Sequence, residues 1–136
     1  MIALSGPLGA GKTVFAKGLA EGLGLDPRRV ASPSFVVACE YALPAGGALA
    51  RLVHVDAWRL SGADELEDAG LRDWLAPGTL LAVEWADRVP GALPDDRLEV
   101  RLAGEGGERV LEIEARGPRA AQTLARGLAQ PGEACR

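Results

Sequence analysis

Gly6-Pro7-Leu8-Gly9-Ala10-Gly11-Lys12-Thr13 satisfies the pattern GxxxxGK[ST] and reads as a phosphate-binding loop. A glycine-rich turn lets backbone N–H groups point inward and cradle phosphate oxygens. In that arrangement the lysine, Lys12, reaches the β- and γ-phosphates, and the Thr13 hydroxyl ligates Mg²⁺. The flanking sequence suits the motif. Ile2-Ala3-Leu4 predicts a buried strand entering the loop. Val14 to Leu23 predicts a helix leaving it, with Phe15, Leu19 and Leu23 stacked at i, i+4. The N-terminus of that helix adds partial positive charge where phosphates would sit.

The 136 residues suit one α/β domain, taken as residues 1–130, followed by a flexible tail at 131–136. A hydrophobic fraction of 48 % allows a real core. No apolar run approaches the ~20 residues that cross a bilayer, so no membrane partner is expected. The net charge of −4 argues against a protein that grips nucleic acid unaided, because phosphate neutralisation needs clustered Lys and Arg. Cys39 and Cys135 have neither CxxC nor metal-ligand spacing, and no secretory leader is expected ahead of Gly6. A reduced, cytoplasmic compartment follows.

Further along, Phe35 to Leu43 and Leu49 to Asp56 predict a hairpin across the Pro44-Ala45-Gly46-Gly47 turn. Glu40, Arg51 and His54 suggest that this part of the sheet has one wetter face. Gly62 to Leu75 predicts a helix with Leu66, Gly70 and Trp74 on one stripe. The uninterrupted apolar run Leu80 to Val83 predicts a central parallel strand buried on both faces. Arg97 to Leu102 and Arg109 to Ala115 predict a second hairpin, and Arg119 to Leu128 a terminal helix.

A phosphate loop alone binds nucleotide; hydrolysis or transfer also needs an acid at a strand end and something to position the attacking group. Two acids end predicted strands. Glu84 follows the all-apolar run and is the better candidate beside the loop; Asp56 follows the more mixed Leu52 to Val55. His54, the only histidine, reads as structural or surface-exposed, and Trp85 as a core aromatic unless it lies by the nucleotide. Ser32-Pro33-Ser34 is a polar loop one helix downstream of the phosphate loop, either a plain turn or a nucleotide-sensing segment.

Together these pieces resemble the TsaE (formerly YjeE) family. GxLGAGKT at 6–13, Ser-Pro-Ser-Phe at 32–35, His54-x-Asp56-x-x-Arg59-Leu60 and Glu84-Trp85 stand in family order. Glu65-Leu66-x-x-x-Gly70-Leu71 and Pro94-x-Asp96-Arg97-Leu98 add to the likeness, which runs from Ile2 to about Gly117. The resemblance implies a P-loop NTPase domain with a central mixed β-sheet flanked by helices. It implies a weak ATPase, using ATP and Mg²⁺, that works with TsaD-type and TsaB-type subunits. Those subunits place a threonylcarbamoyl group on N6 of the adenosine next to the anticodon in tRNAs reading ANN codons. The tRNA would be met only through the complex. The resemblance further implies that Thr13 and Glu84 ligate the metal, that Asp56, Glu84 and Ser34 act in catalysis, and that Gly6, Leu8, Gly9, Ala10, Gly11, Lys12, Thr13, Val14 and Trp85 hold the nucleotide. Pro7 stands where the family usually has Asp, Ser34 where it has Thr, and Trp58 where it has Tyr. Family members also usually carry a further strand and helix ahead of the loop.

Two other functions fit a phosphate loop. A small-molecule kinase usually has an arginine-rich lid; the stretch from Arg72 to Arg97 has three arginines and no evident lid. A nucleotide-binding scaffold without hydrolysis would not need both Asp56 and Glu84.

Overall fold

In a computed structural model of the chain, residues 1–104 and 106–129 are described. The expected tail at 131–136, and Cys135 with it, lie outside them. Ile2–Ser5 (β1) is apolar at every position but the last and is buried accordingly. It runs parallel to Thr79–Glu84 (β4) on one side and to Arg97–Ala103 (β5) on the other. Arg51–Asp56 (β3) pairs in parallel with β4, so four parallel strands form the middle of the sheet. Ala38–Ala42 (β2) and Val110–Arg116 (β6) close the edges as antiparallel strands. The order is β2-β3-β4-β1-β5-β6, a mixed six-stranded sheet.

Helices cover both faces. Lys12–Gly22 (α1) packs on the face that carries Ile2, Leu4, Leu52, Ala82 and Val100. The innermost residues of α1 are Ala16 and Ala20; the expected stripe of Phe15, Leu19 and Leu23 flanks that contact. Small side chains let the helix lie close to the strands, while the larger ones fill the margins. The opposite face carries Ala3, Val53, Val55, Leu81 and Val83 against Leu66, Leu71 and Trp74. Those three come from two short helices, Ala63–Ala69 (α2) and Leu71–Trp74 (α3). The single helix expected over 62–75 is broken at Gly70, whose φ of 125° is foreign to a right-handed helix. The break turns Leu71 and Trp74 inward beside Leu66, a convergence that an unbroken stripe at 66, 70 and 74 does not give.

Two other expectations change. β2 begins at Ala38, not Phe35: Phe35 and Val36 are exposed residues of a turn, and Val37 has a φ of 67°. The apolar run there serves the surface, which is why its composition reads as strand. The wetter face is also absent at His54, which is fully buried. Glu40 and Arg51, by contrast, form an ion pair nearer the surface, at 2.8 Å.

Pro118–Ala129 (α4) lies against β5 and β6 and is capped from a distance. The Ala120 and Arg119 backbone N–H groups donate to Asp96 Oδ1 and Oδ2 at 2.8 and 3.2 Å. An acid that satisfies orphan N–H groups also opposes the positive end of the helix dipole. Asp96→Ala should therefore cost about 1 kcal/mol. Urea melts would measure the loss, and amide exchange at residues 119 and 120 should speed up more than in β1. Equal protection in both proteins would count against the capping role.

Candidate functional site

Parallel strands bring their C-terminal ends to one edge of a sheet, where ligands of open α/β folds bind. Here that edge holds the end of β1, the end of β3 at Asp56 and the end of β4 at Glu84. Asp56 and Glu84 are register partners on adjacent strands, and both are buried. The sequence placed the two acids at strand ends; the sheet makes them neighbours.

The phosphate-loop motif turns sharply between β1 and α1. Gly6 has a φ of 139°, and a Cβ there would run into the Leu102 carbonyl oxygen. Gly11, with φ 103°, starts α1 in a left-handed conformation that a larger residue adopts only under strain. Behind this turn the Lys12 side chain is buried. Its Nζ donates to the carbonyl oxygens of Gly6 (2.7 Å) and Pro7 (2.9 Å) and lies 3.5 Å from the centre of a Trp85 ring. Burial lowers the pKa of this ammonium, while the carboxylates of Glu84, Asp87 and Asp56 oppose the shift.

Thr13, in the first turn of α1, donates its hydroxyl to Glu84 Oε1 at 2.8 Å and approaches Oε2 at 3.1 Å. The other acid is tied to the loop downstream of α1. Ser34 donates to Asp56 Oδ2 at 2.6 Å, Ser32 to the same oxygen at 3.2 Å, and the two serine hydroxyls lie 2.7 Å apart. The Trp58 backbone N–H takes Asp56 Oδ1 at 2.9 Å. Ser32-Pro33-Ser34 is thus part of the site and not a detached turn.

These groups line a cleft of about 340 Å³. Of the residues named from the sequence, Leu8, Gly9, Gly11, Lys12, Thr13, Val14, Ser34, Asp56, Glu84 and Trp85 border it. Gly6 and Ala10 stand behind it, where the Ala10 methyl packs with Leu4, Val100 and Leu102. A larger groove of about 1070 Å³ reaches the N-terminal ends of β1, β4 and β5 and carries none of the residues read as functional. Among the described residues no group of three or more His, Cys, Asp or Glu side chains could hold a metal by itself. Thr13 and Glu84 instead offer a partial oxygen set. That suits Mg²⁺, which keeps several waters and takes substrate phosphates as ligands.

Sequence reasoning understated two residues. Trp85 packs partly on the core, as its type suggests, but a φ of 57° also turns its ring over Lys12 and against Trp58, with centroids 4.4 Å apart. From the sequence His54 reads as structural or surface-exposed; in the fold it is buried and its Nε2 lies 2.7 Å from Glu84 Oε1. The available signal was spacing: His54 is two residues before Asp56, hence on the same strand face.

The chain matches the family model described as "Threonylcarbamoyl adenosine biosynthesis protein TsaE" over residues 1–111. It is similar to the tRNA threonylcarbamoyladenosine biosynthesis protein TsaE of Streptomyces coelicolor, with 43 % identity over 83 % of this chain and 74 % of that one. The protein of the same name from Bacillus subtilis is 39 % identical over 88 % of this chain and 72 % of its own. Among solved structures, Bacillus subtilis YdiB superposes with a TM-score of 0.68 at 35 % identity, covering 93 % of this chain and 76 % of that one.

The buried ammonium gives a direct test of the site. Burial disfavours the charged form, so ¹³Cε NMR should find the Lys12 midpoint below the ordinary 10.5. The sign for stability follows. Charged Lys12 burdens the folded state at low pH, and that burden lifts as pH rises through the lowered folded-state pKa toward 10.5. A midpoint at or above 10.5 would contradict the desolvated position.

Proposed function

This chain belongs to the TsaE family, and from that premise we propose that it binds and hydrolyses ATP as a subunit of tRNA threonylcarbamoyladenosine synthesis. The carrying observation is the Thr13–Glu84 hydrogen bond: it brings a hydroxyl and a carboxylate together beside the glycine-rich loop, where both would ligate the same cation. Bound Mg²⁺ would neutralise charge on the β- and γ-phosphate oxygens.

The chain's own groups do the rest. Backbone N–H groups of Gly9 to Val14 and the start of α1 receive the phosphates. Lys12 exchanges two neutral carbonyl oxygens for phosphate, a stronger charge-assisted contact. Asp56, buried and bonded by Ser34, accepts a hydrogen bond from the attacking water and orients it in this reading. Ser34 keeps the hydroxyl of the threonine usual in the family, without the methyl that stiffens χ1. Trp85 shields the lysine side of the cleft.

The surroundings of the cleft support partner subunits, which we take to be of the TsaD and TsaB types. Leu8 and Val14, which line the cleft, are 87 % and 71 % exposed, and Phe35, the residue after the cleft-lining Ser34, is 85 % exposed. Large apolar side chains exposed beside a cleft suit contact with a partner protein. A net charge of −4 suits a subunit that meets tRNA through such partners. The role is that of an ATPase and not of the threonylcarbamoyl transferase.

Lys12→Ala should abolish the change in tryptophan fluorescence on adding Mg·ATP; an unaltered response would remove the loop from nucleotide binding. Glu84→Gln should still bind nucleotide but lose at least ~100-fold in partner-stimulated phosphate release. Full activity would exclude Glu84 from the mechanism. γ-Phosphate appearing on a metabolite would favour a kinase, and binding without phosphate release would favour a scaffold. Phe35→Asp should weaken co-elution with the partner pair while leaving nucleotide binding intact.

A further inference from the structure

His54 is the one histidine of the chain, and its imidazole is fully buried. Its Nε2 contacts Glu84 Oε1 at 2.7 Å, the oxygen that also accepts from Thr13. Nδ1 meets no hydrogen-bond partner among the described residues. Across the sheet its register partners are Cys39 and Ala82, and neither is bonded to it. This asymmetry fixes the tautomer. An ionised carboxylate only accepts, so Nε2 carries the proton. A bare Nδ1 lone pair left without a partner is less costly than a buried N–H left without an acceptor.

Glu84 therefore has two donors, and they differ in kind. Thr13 would be called away: as a metal ligand, its hydroxyl would turn from the carboxylate to the cation. His54 is fully buried on β3 between β2 and β4, and has no second partner among the described residues. We infer that His54 is a positioning residue: its Nε2–H holds the Glu84 carboxylate in the rotamer and plane required for metal binding. The inference rests on the ATP-hydrolysis reading above. Outer donors of this kind orient ligating carboxylates, and their loss typically costs 10–100-fold in metal affinity or activity.

The first test needs no ligand. ¹⁵N-histidine NMR of the wild-type protein gives one imidazole, and it should show the Nε2–H tautomer, with a proton resonance that shifts in Glu84→Gln. The Nδ1–H tautomer would overturn the inference. The second test uses two amides of different reach. Gln at position 54 can place a donor near the Nε2 position; Asn falls short of it. In the complex with its partner subunits, His54→Asn should raise the Mg²⁺ concentration for half-maximal ATP hydrolysis about 10-fold or more and lower kcat. His54→Gln should recover most of both. Equal impairment of the two variants would mean a packing role, and an Asn variant with wild-type Mg²⁺ dependence would also overturn the inference. Wild-type protein that hydrolyses no ATP with its partners would refute the parent reading, whereas active wild type with an indifferent Asn variant refutes the His54 role alone.

Discussion

Parallel pairing of β1 with β4, and of β4 with β3, is the constraint on which the rest of the structure depends. Parallel neighbours end at the same edge, so the phosphate loop, Glu84 and Asp56 arrive together without any long side chain having to reach. Had β3 or β4 run antiparallel to β1, its acid would lie at the far edge of the sheet. The two antiparallel strands, β2 and β6, are confined to the margins, where they close the sheet without disturbing this edge.

Four ionisable groups are buried at or below that edge: Lys12, His54, Asp56 and Glu84. Isolated buried charges cost several kcal/mol, so each needs a partner. Each has one. Lys12 takes two backbone carbonyls and an indole face, Asp56 takes two serines and a backbone N–H, and Glu84 takes Thr13 and His54. The partners come from the loop, the first helix, the serine segment and two strands. Breaking any one contact leaves a buried polar group short of a partner, which links elements far apart in sequence.

Among the described residues two non-glycine positions, Val37 and Trp85, have positive φ, and both adjoin this site. A left-handed conformation is unfavourable for Val because of its branched Cβ. The surroundings hold it there: the Val37 carbonyl accepts from the Asp56 N–H at 2.8 Å, and the Ala38 N–H reaches back to the Val36 carbonyl, also at 2.8 Å. The strain at Val37 redirects the chain from the serine loop into β2. At Trp85 it turns the indole over Lys12 and away from the path a regular strand end would take. Such strain persists only where neighbouring contacts over-determine the backbone.

The glycine-rich motif at 6–13, the strand before it, the helix after it and the two acids at strand ends are all legible in the sequence. Those features are local: a glycine spacing, an apolar run and a polar residue at its end are all read within a few positions. The family likeness was equally legible, because motifs keep their order along a chain. Which of these residues touch depends on how the chain folds. The pairing of Asp56 with Ser34, of Glu84 with Thr13 and His54, and of Lys12 with Trp85 joins residues 22, 71, 30 and 73 positions apart. His54 looked bland because a lone polar residue in a strand has no partner in its own neighbourhood; the register of β3 against β4 supplied one. Phe35 and Val36 misled for the opposite reason, since their apolar character serves an exposed rim and not a strand. Spacing along the chain sets local geometry, but the burial and pairing of charge depend on which strands lie side by side.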